Sequence, residues 1–242
     1  MAPGPRRRSR VISRGRRAAR AAAKIRAGNR ALGDGDLAAA LQAYNAALDE
    51  DPENPYAWNN KGIVLETLGR GLEAVKCHNR AIAARPNYVE AHVNKAVALL
   101  HMNRDEGAQK ALTAALRLSP NHELAWLNRG ILYARRGRMP EALECFEKSL
   151  AADPSYASAI MNKGSALAAL GRADEAVDCY NAVLQKRPDF ADAWFHKGRI
   201  LLDGHRAKAA ILCFEKALEL SPNLAAGRQL LAAAQAQIGR AA

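Results

Sequence analysis

The chain has 242 residues, 49% of them hydrophobic, which is enough to bury a core and too many for a compositionally disordered protein. Its net charge of +12 is concentrated at the start: residues 1–20 hold eight arginines and no acid, leaving 28 bases and 24 acids in the other 222 residues. Nowhere do about 18 apolar residues run without a charge, which excludes a membrane-spanning helix.

The first segment in chain order is the basic one, with Arg6, Arg7, Arg8, Arg10, Arg14, Arg16, Arg17 and Arg20. A block of one sign repels itself, so residues 1–20 read as a solvated, disordered tail whose last residues, from about Arg16, join the first helix. Its arginine- and serine-containing, acid-free composition is that of a mitochondrial transit peptide, while Val11-Ile12 is too short for the apolar stretch of a secretory signal. The alternatives are an arm that binds nucleic acid or another anionic surface, or a misassigned start.

From residue 21 a period of 34 residues takes over. Pro52, Pro86, Pro120, Pro154, Pro188 and Pro222 keep that interval without exception, as do Ala40, Ala74, Ala108, Ala142, Ala176 and Ala210. Gly28, Gly62, Ala96, Gly130, Gly164 and Gly198 form a third register, and Trp58, Trp126 and Trp194 fall at twice the period. Within residues 55–88, Trp58, Gly62 and Leu65 recur at the spacing of one helix face, and Gly69 ends that helix. A second helix carries Ala74, His78 and Ala81 on its packing side, and Pro86 stops it. Each unit is thus an antiparallel helix pair that needs its neighbours to bury its apolar face. The units are 21–54, 55–88, 89–122, 123–156, 157–190 and 191–224. Residues 225–238 read as a lone capping helix within a C-terminal segment 225–242.

These residues resemble the tetratricopeptide repeat family. Its pattern is met in residues 123–156 by Trp126, Gly130, Tyr133, Ala142, Phe146 and Pro154, with Arg129 in the leucine place and Ser149 in the last alanine place. Two departures are local: Lys24 stands where the first tryptophan belongs, and Gly204-His205 shifts the usual turn glycine by one. The resemblance implies an all-α, right-handed superhelical solenoid whose first helices line an inner groove, and a protein that binds protein or peptide partners.

The groove-facing sixth place holds Asn60, Asn94, Asn128 and Asn162 in the second to fifth repeats, followed by His196 in the sixth. An amide offers two donors and an acceptor, the complement of a peptide bond, so a ladder of them can hold an extended backbone irrespective of its side chains. This resembles the asparagine ladder in the repeat domain of the O-linked N-acetylglucosamine transferases, although no catalytic domain follows the array. The carboxylate clamp of chaperone-binding family members is matched only by Asn29 and Asn60; its three cations are replaced by Ile25, Glu90 and Asn94. Without cations a terminal carboxylate loses its charge-assisted partners. Beside the ladder, Val93, Leu127, Met161 and Phe195, with Ile63, Val97 and Ile131, are either ordinary packing or an exposed apolar strip.

The place after each asparagine is cationic: Lys61, Lys95, Arg129, Lys163, and Lys197 after His196. Each follows an alanine by four residues, which leaves room for the alkyl stem to lie flat. Alternatively these five form a positive ladder that attracts acidic or phosphorylated partners.

Other chemistry is missing. Cys77, Cys145, Cys179 and Cys213 share one place in the second helices, too far apart for disulfides, and read as small packing residues in a reducing, cytoplasmic compartment. No histidine pairs with a cysteine at metal-ligand spacing, and no nucleophile, base and orienting acid can be nominated. The sequence therefore predicts a noncatalytic interaction scaffold with no metal, no cofactor and no small-molecule substrate. It takes an extended peptide in its groove or, alternatively, nucleic acid through the tail and the lysine ladder.

Overall fold

The structure, a computed structural model, describes the backbone of residues 5–241 and the side chains of residues 15–239. Among these the regular structure is helical throughout: α1 (Pro5–Gly33), α2 (Leu37–Glu50), α3 (Pro55–Thr67), α4 (Gly71–Ala84), α5 (Val89–His101), α6 (Asp105–Leu118), α7 (Glu123–Arg135), α8 (Met139–Ala152), α9 (Ala157–Ala169), α10 (Ala173–Lys186), α11 (Ala191–Asp203), α12 (Ala207–Leu220) and α13 (Ala225–Ala241). They divide into two compact units, Met1–Pro120 and Asn121–Ala242. In the first, the pairs α1/α2, α3/α4 and α5/α6 stack in order; in the second, α7/α8, α9/α10 and α11/α12 do so, and α13 lies on α12. First helices also touch one another, α1 with α3 and α3 with α5, then α7 with α9, α9 with α11 and α11 with α13. Each unit therefore has one face made of first helices.

The register explains the packing. The glycines of the third register are seats for a ring from the partner helix. Tyr44, His78, Phe146, Tyr180 and Phe214 are buried, and a Cβ added at Gly28, Gly62, Gly130, Gly164 or Gly198 would fall 2.6, 2.5, 2.4, 3.0 or 2.8 Å from the facing ring. The third repeat alters both members together, with Ala96 opposite Leu112. Burying each of these side chains contributes about 1.5–3 kcal/mol.

Where the fourth residue of a repeat carries a donor, it reaches the carbonyl of the proline six residues earlier; Ile160, in the fifth repeat, has none. Trp58 and Trp194 donate their Nε1–H to Pro52 and Pro188 at 2.8 Å, and His92 donates Nε2–H to Pro86 at 3.0 Å. On α13, Arg228 donates to Pro222 in the same way. Lys24, in the first repeat, instead reaches the Ala46 carbonyl at 3.1 Å and Glu50 Oε1 at 3.0 Å.

The displaced glycine does not move the sixth turn. Gly35, Gly69, Asn103, Gly137, Gly171 and His205 all sit in the left-handed region at the same register, while Gly204 has an ordinary φ of −82°. The bond that closes the turn, Arg206 N–H to the Leu201 carbonyl at 2.8 Å, repeats that of Arg70 to Leu65, so packing of the pair overrides the glycine's position. Gly171→Ala should then cost about 1–2 kcal/mol while Gly204→Ala costs nothing, a contrast that thermal denaturation of the two variants reads directly.

Helix α1 begins at Pro5 and continues the first repeat helix backwards through the arginine-rich segment. Proline suits a first helical turn, and arginine and alanine are both good helix formers. The side chains of Arg6, Arg7, Arg8, Arg10 and Arg14 lie outside the described residues; Arg16, Arg17 and Arg20 are exposed.

Candidate functional site

The sixth-place residues lie on the first-helix face of each unit, with different surroundings in the two. In the first unit, Asn60 donates Nδ2–H to Asn29 Oδ1 at 2.9 Å, and that oxygen also accepts from the Tyr44 hydroxyl at 2.8 Å. Asn60 Oδ1 accepts from Asn59 Nδ2 at 3.3 Å, and Asn59 Oδ1 accepts from Asn94 Nδ2 at 3.1 Å. A chain of amides thus runs from the first repeat to the third. Its hidden anchor is Asn59, buried at the fifth place, whose Oδ1 also faces His78 Nδ1 at 3.1 Å. An amide oxygen only accepts, so His78 carries its proton on Nδ1, and its Nε2 is a buried lone pair without a partner. Burial, helped by the nearby Lys95 cation, pushes the His78 pKa down to about 4.

In the second unit the amides bond back to their own helices. Asn128 and Asn162 donate Nδ2–H to the carbonyls of Leu124 and Ser158, both at 2.8 Å, which uses one of the two N–H groups of each. Asn128 is nearly covered, with 7% of its surface exposed, whereas Asn162 is half-buried. His196 stacks on the Tyr180 ring at 5.9 Å and meets Phe195 edge-on at 5.4 Å. Burial and the Arg199 charge hold its pKa below the ordinary imidazole range. The neighbouring apolar residues are packing: Val93 and Leu127 are buried, and Ile131, Met161 and Phe195 join the core of the second unit.

Three of the cations lie over the tryptophan of their own helix. One residue further along a helix is a turn of about 100°, which lays Lys61 over Trp58 at 5.3 Å, Arg129 over Trp126 at 5.5 Å and Lys197 over Trp194 at 5.2 Å. Lys163 pairs with Glu147 of α8 at 3.1 Å. All five of these cations are half-buried. The arrangement matches stems packed along the helix surface.

Burial raises the thiols of Cys77, Cys179 and Cys213 above the ordinary range and that of Cys145 to about 11, the state of inert packing cysteines. Among the described residues there is no group of three His, Cys, Asp or Glu side chains that could hold a metal ion, and no helix long and apolar enough to cross a membrane. Near the basic segment, Lys24, with lesser help from Arg20 and Arg17, holds the Glu50 carboxyl below the usual range.

The sequence pattern of the tetratricopeptide repeat family matches residues 25–76, 102–157 and 161–225. No curated protein matches by sequence. Solved structures with the same fold include the Cut9 and Hcn1 hetero-tetramer of the APC/C, similar at a TM-score of 0.82 and 18% identity over 89% of this chain, which spans 43% of that one. Pseudomonas aeruginosa pilF is similar at 0.78 and 21% identity, covering 91% of this chain and 99% of its own. YrrB, described as a TPR protein with an unusual peptide-binding site, is similar at 0.61 and 19% identity, over 81% of this chain and 98% of that one.

Proposed function

Given that the chain belongs to the tetratricopeptide repeat family, whose members bind protein or peptide partners, we propose that it is a noncatalytic scaffold holding an extended peptide segment of another protein against the first-helix face. The observation that carries this reading is the row of amides at one register, Asn60 and Asn94 in the first unit and Asn128, Asn162 and then His196 in the second. YrrB, whose described role is that of a TPR protein with a peptide-binding site, supports the same reading.

Bonding among the amides favours it too. Asn60 and Asn94 are held in place by Asn29 and Asn59, so little side-chain freedom remains to be lost when a ligand arrives. Asn162 offers a second N–H and a carbonyl oxygen to a passing backbone. Asn128 contributes least because it is almost covered, and Lys61, Arg129 and Lys163 are engaged by Trp58, Trp126 and Glu147.

The test is direct. Random peptides displayed on phage are selected on the full chain, and the best is measured against Asn94→Ala and Asn162→Ala combined. Each lost hydrogen bond is worth about 0.5–1.5 kcal/mol, so affinity should fall roughly tenfold with an unchanged circular dichroism spectrum. Unaltered affinity in the folded double variant would place the peptide elsewhere.

A further inference from the structure

On the outer side of the second unit, α10, α11 and α12 enclose an open groove of about 540 Å³, floored by Trp194, Leu201 and Cys213 and edged by Leu212. Two features of the sixth repeat meet there. Leu212, 67% exposed, stands where the other repeats carry Gln42, Lys76, Lys110, Glu144 and Asp178. Ala209 takes the place of Glu73, Glu141 and Glu175, each of which holds the arginine three residues before it at 2.6–2.8 Å, while Ala39 and Gly107 fill it in the first and third repeats. Arg206 is left with a single 3.3 Å contact to Asp174, whose side chain is 93% exposed. Ahead of Lys197 on the preceding second helix stands Asn181, as Asn45 and Asn79 stand ahead of Lys61 and Lys95, whereas Lys163 meets Glu147 there at 3.1 Å.

The same groove thus has an exposed apolar edge and lacks the carboxylate that holds the turn arginine in the second, fourth and fifth repeats. Its rim presents Lys197, Arg206 and Lys216, the last of them paired with Glu219 at 2.8 Å. We propose that this groove is a second docking site, taking an acidic peptide segment that inserts one or two large apolar side chains between α10 and α12. The volume suits side chains rather than a whole helix. The apolar anchor lies over Trp194 and beside Leu212, and flanking carboxylates supply the charge that Ala209 lacks beside Arg206 and pair with Lys197. The exposed Asp174 carboxylate yields to the ligand, since an open ion pair of this kind is worth little. Because Trp194 and Lys197 flank Phe195 and His196 on one helix, the outer site and the first-helix face would be served by opposite sides of α11.

The experiment measures binding of short fluorescein-labelled peptides of leucine and glutamate to the full chain by anisotropy, beside counterparts with lysine for glutamate or alanine for leucine. The leucine–glutamate probe should bind, both counterparts should bind at least about tenfold more weakly, and affinity should fall with salt. Leu212→Asp should weaken the probe about tenfold or more while Leu212→Met keeps it, and Asn94→Ala with Asn162→Ala should leave it unchanged. Equal binding of all peptides, no binding at all, or loss through the asparagine variants alone overturns the proposal. So does a concentration-dependent dimer in sedimentation that Leu212→Asp converts to monomer, since the occupant would then be a second copy of the chain.

Discussion

Replacing Phe146 with alanine should cost the protein about 3–5 kcal/mol of folding stability. The ring is 1% exposed and lies flat against the α7 backbone, where a Cβ on Gly130 would come within 2.4 Å of it. Rigid neighbours on both helices cannot close the void, so the loss includes a cavity term as well as the missing transfer energy. The reverse error is informative too. Gly130→Ala should cost about 1–3 kcal/mol by overpacking, less a fraction regained from alanine's helix preference. The third repeat shows the remedy, because Ala96 already faces Leu112 there. Gly130→Ala combined with Phe146→Leu should therefore be more stable than the sum of the two single losses. A double-mutant cycle by urea denaturation measures that coupling, and strictly additive costs would contradict the seat-and-ring account.

The second large effect concerns acid. His78 occupies the ring position of its repeat, neutral and buried, with a pKa pushed down to about 4 by burial and by Lys95. The unfolded chain keeps an ordinary imidazole near about 6.5. A base whose folded pKa is depressed is protonated first in the unfolded state, so its contribution to stability is complete above about pH 6.5. It is lost progressively as the pH falls towards about 4, by up to roughly 3 kcal/mol. His78→Phe, which copies Phe146 at the same register, should remove this part of the acid sensitivity. Urea denaturation at pH 7 and pH 4 should show the variant losing less stability than the parent; identical losses would mean that other groups carry the acid response.

The array was legible because a 34-residue period leaves its mark in side chains that cannot be exchanged freely: a proline to stop the second helix, a small residue to seat a ring, a turn residue between helices. Side-chain direction was harder to read. Asn59 was missed because the fifth place was read only for its apolar residues, although a sign of it was present. The fifth place is apolar in the next four repeats, as Val93, Leu127, Met161 and Phe195, and the ring place is aromatic or leucine except at His78. Two polar exceptions in one repeat, on facing helices, are best explained by contact with each other, which the 3.1 Å approach bears out. The cations were harder still, since Lys61 follows Asn60 in sequence but lies over the Trp58 ring. His205 shows the limit of reading glycines as turn markers, because the stacking of the pairs, not the glycine, decides where the left-handed residue falls.

The bond to the proline carbonyl has an evolutionary corollary. Trp58, His92 and Trp194 use it between internal repeats, and Arg228 uses it to fasten the terminal helix. At these junctions a main-chain oxygen meets any donor of sufficient reach, and the fifth repeat, with Ile160 in that place, does without the bond. A whole repeat can then be duplicated or excised in frame between two such prolines, and the new seam is assembled from a kind of contact already in use. Growth by gene duplication is thereby quantised, each step adding one more row to the first-helix face while the ends of the protein stay as they were.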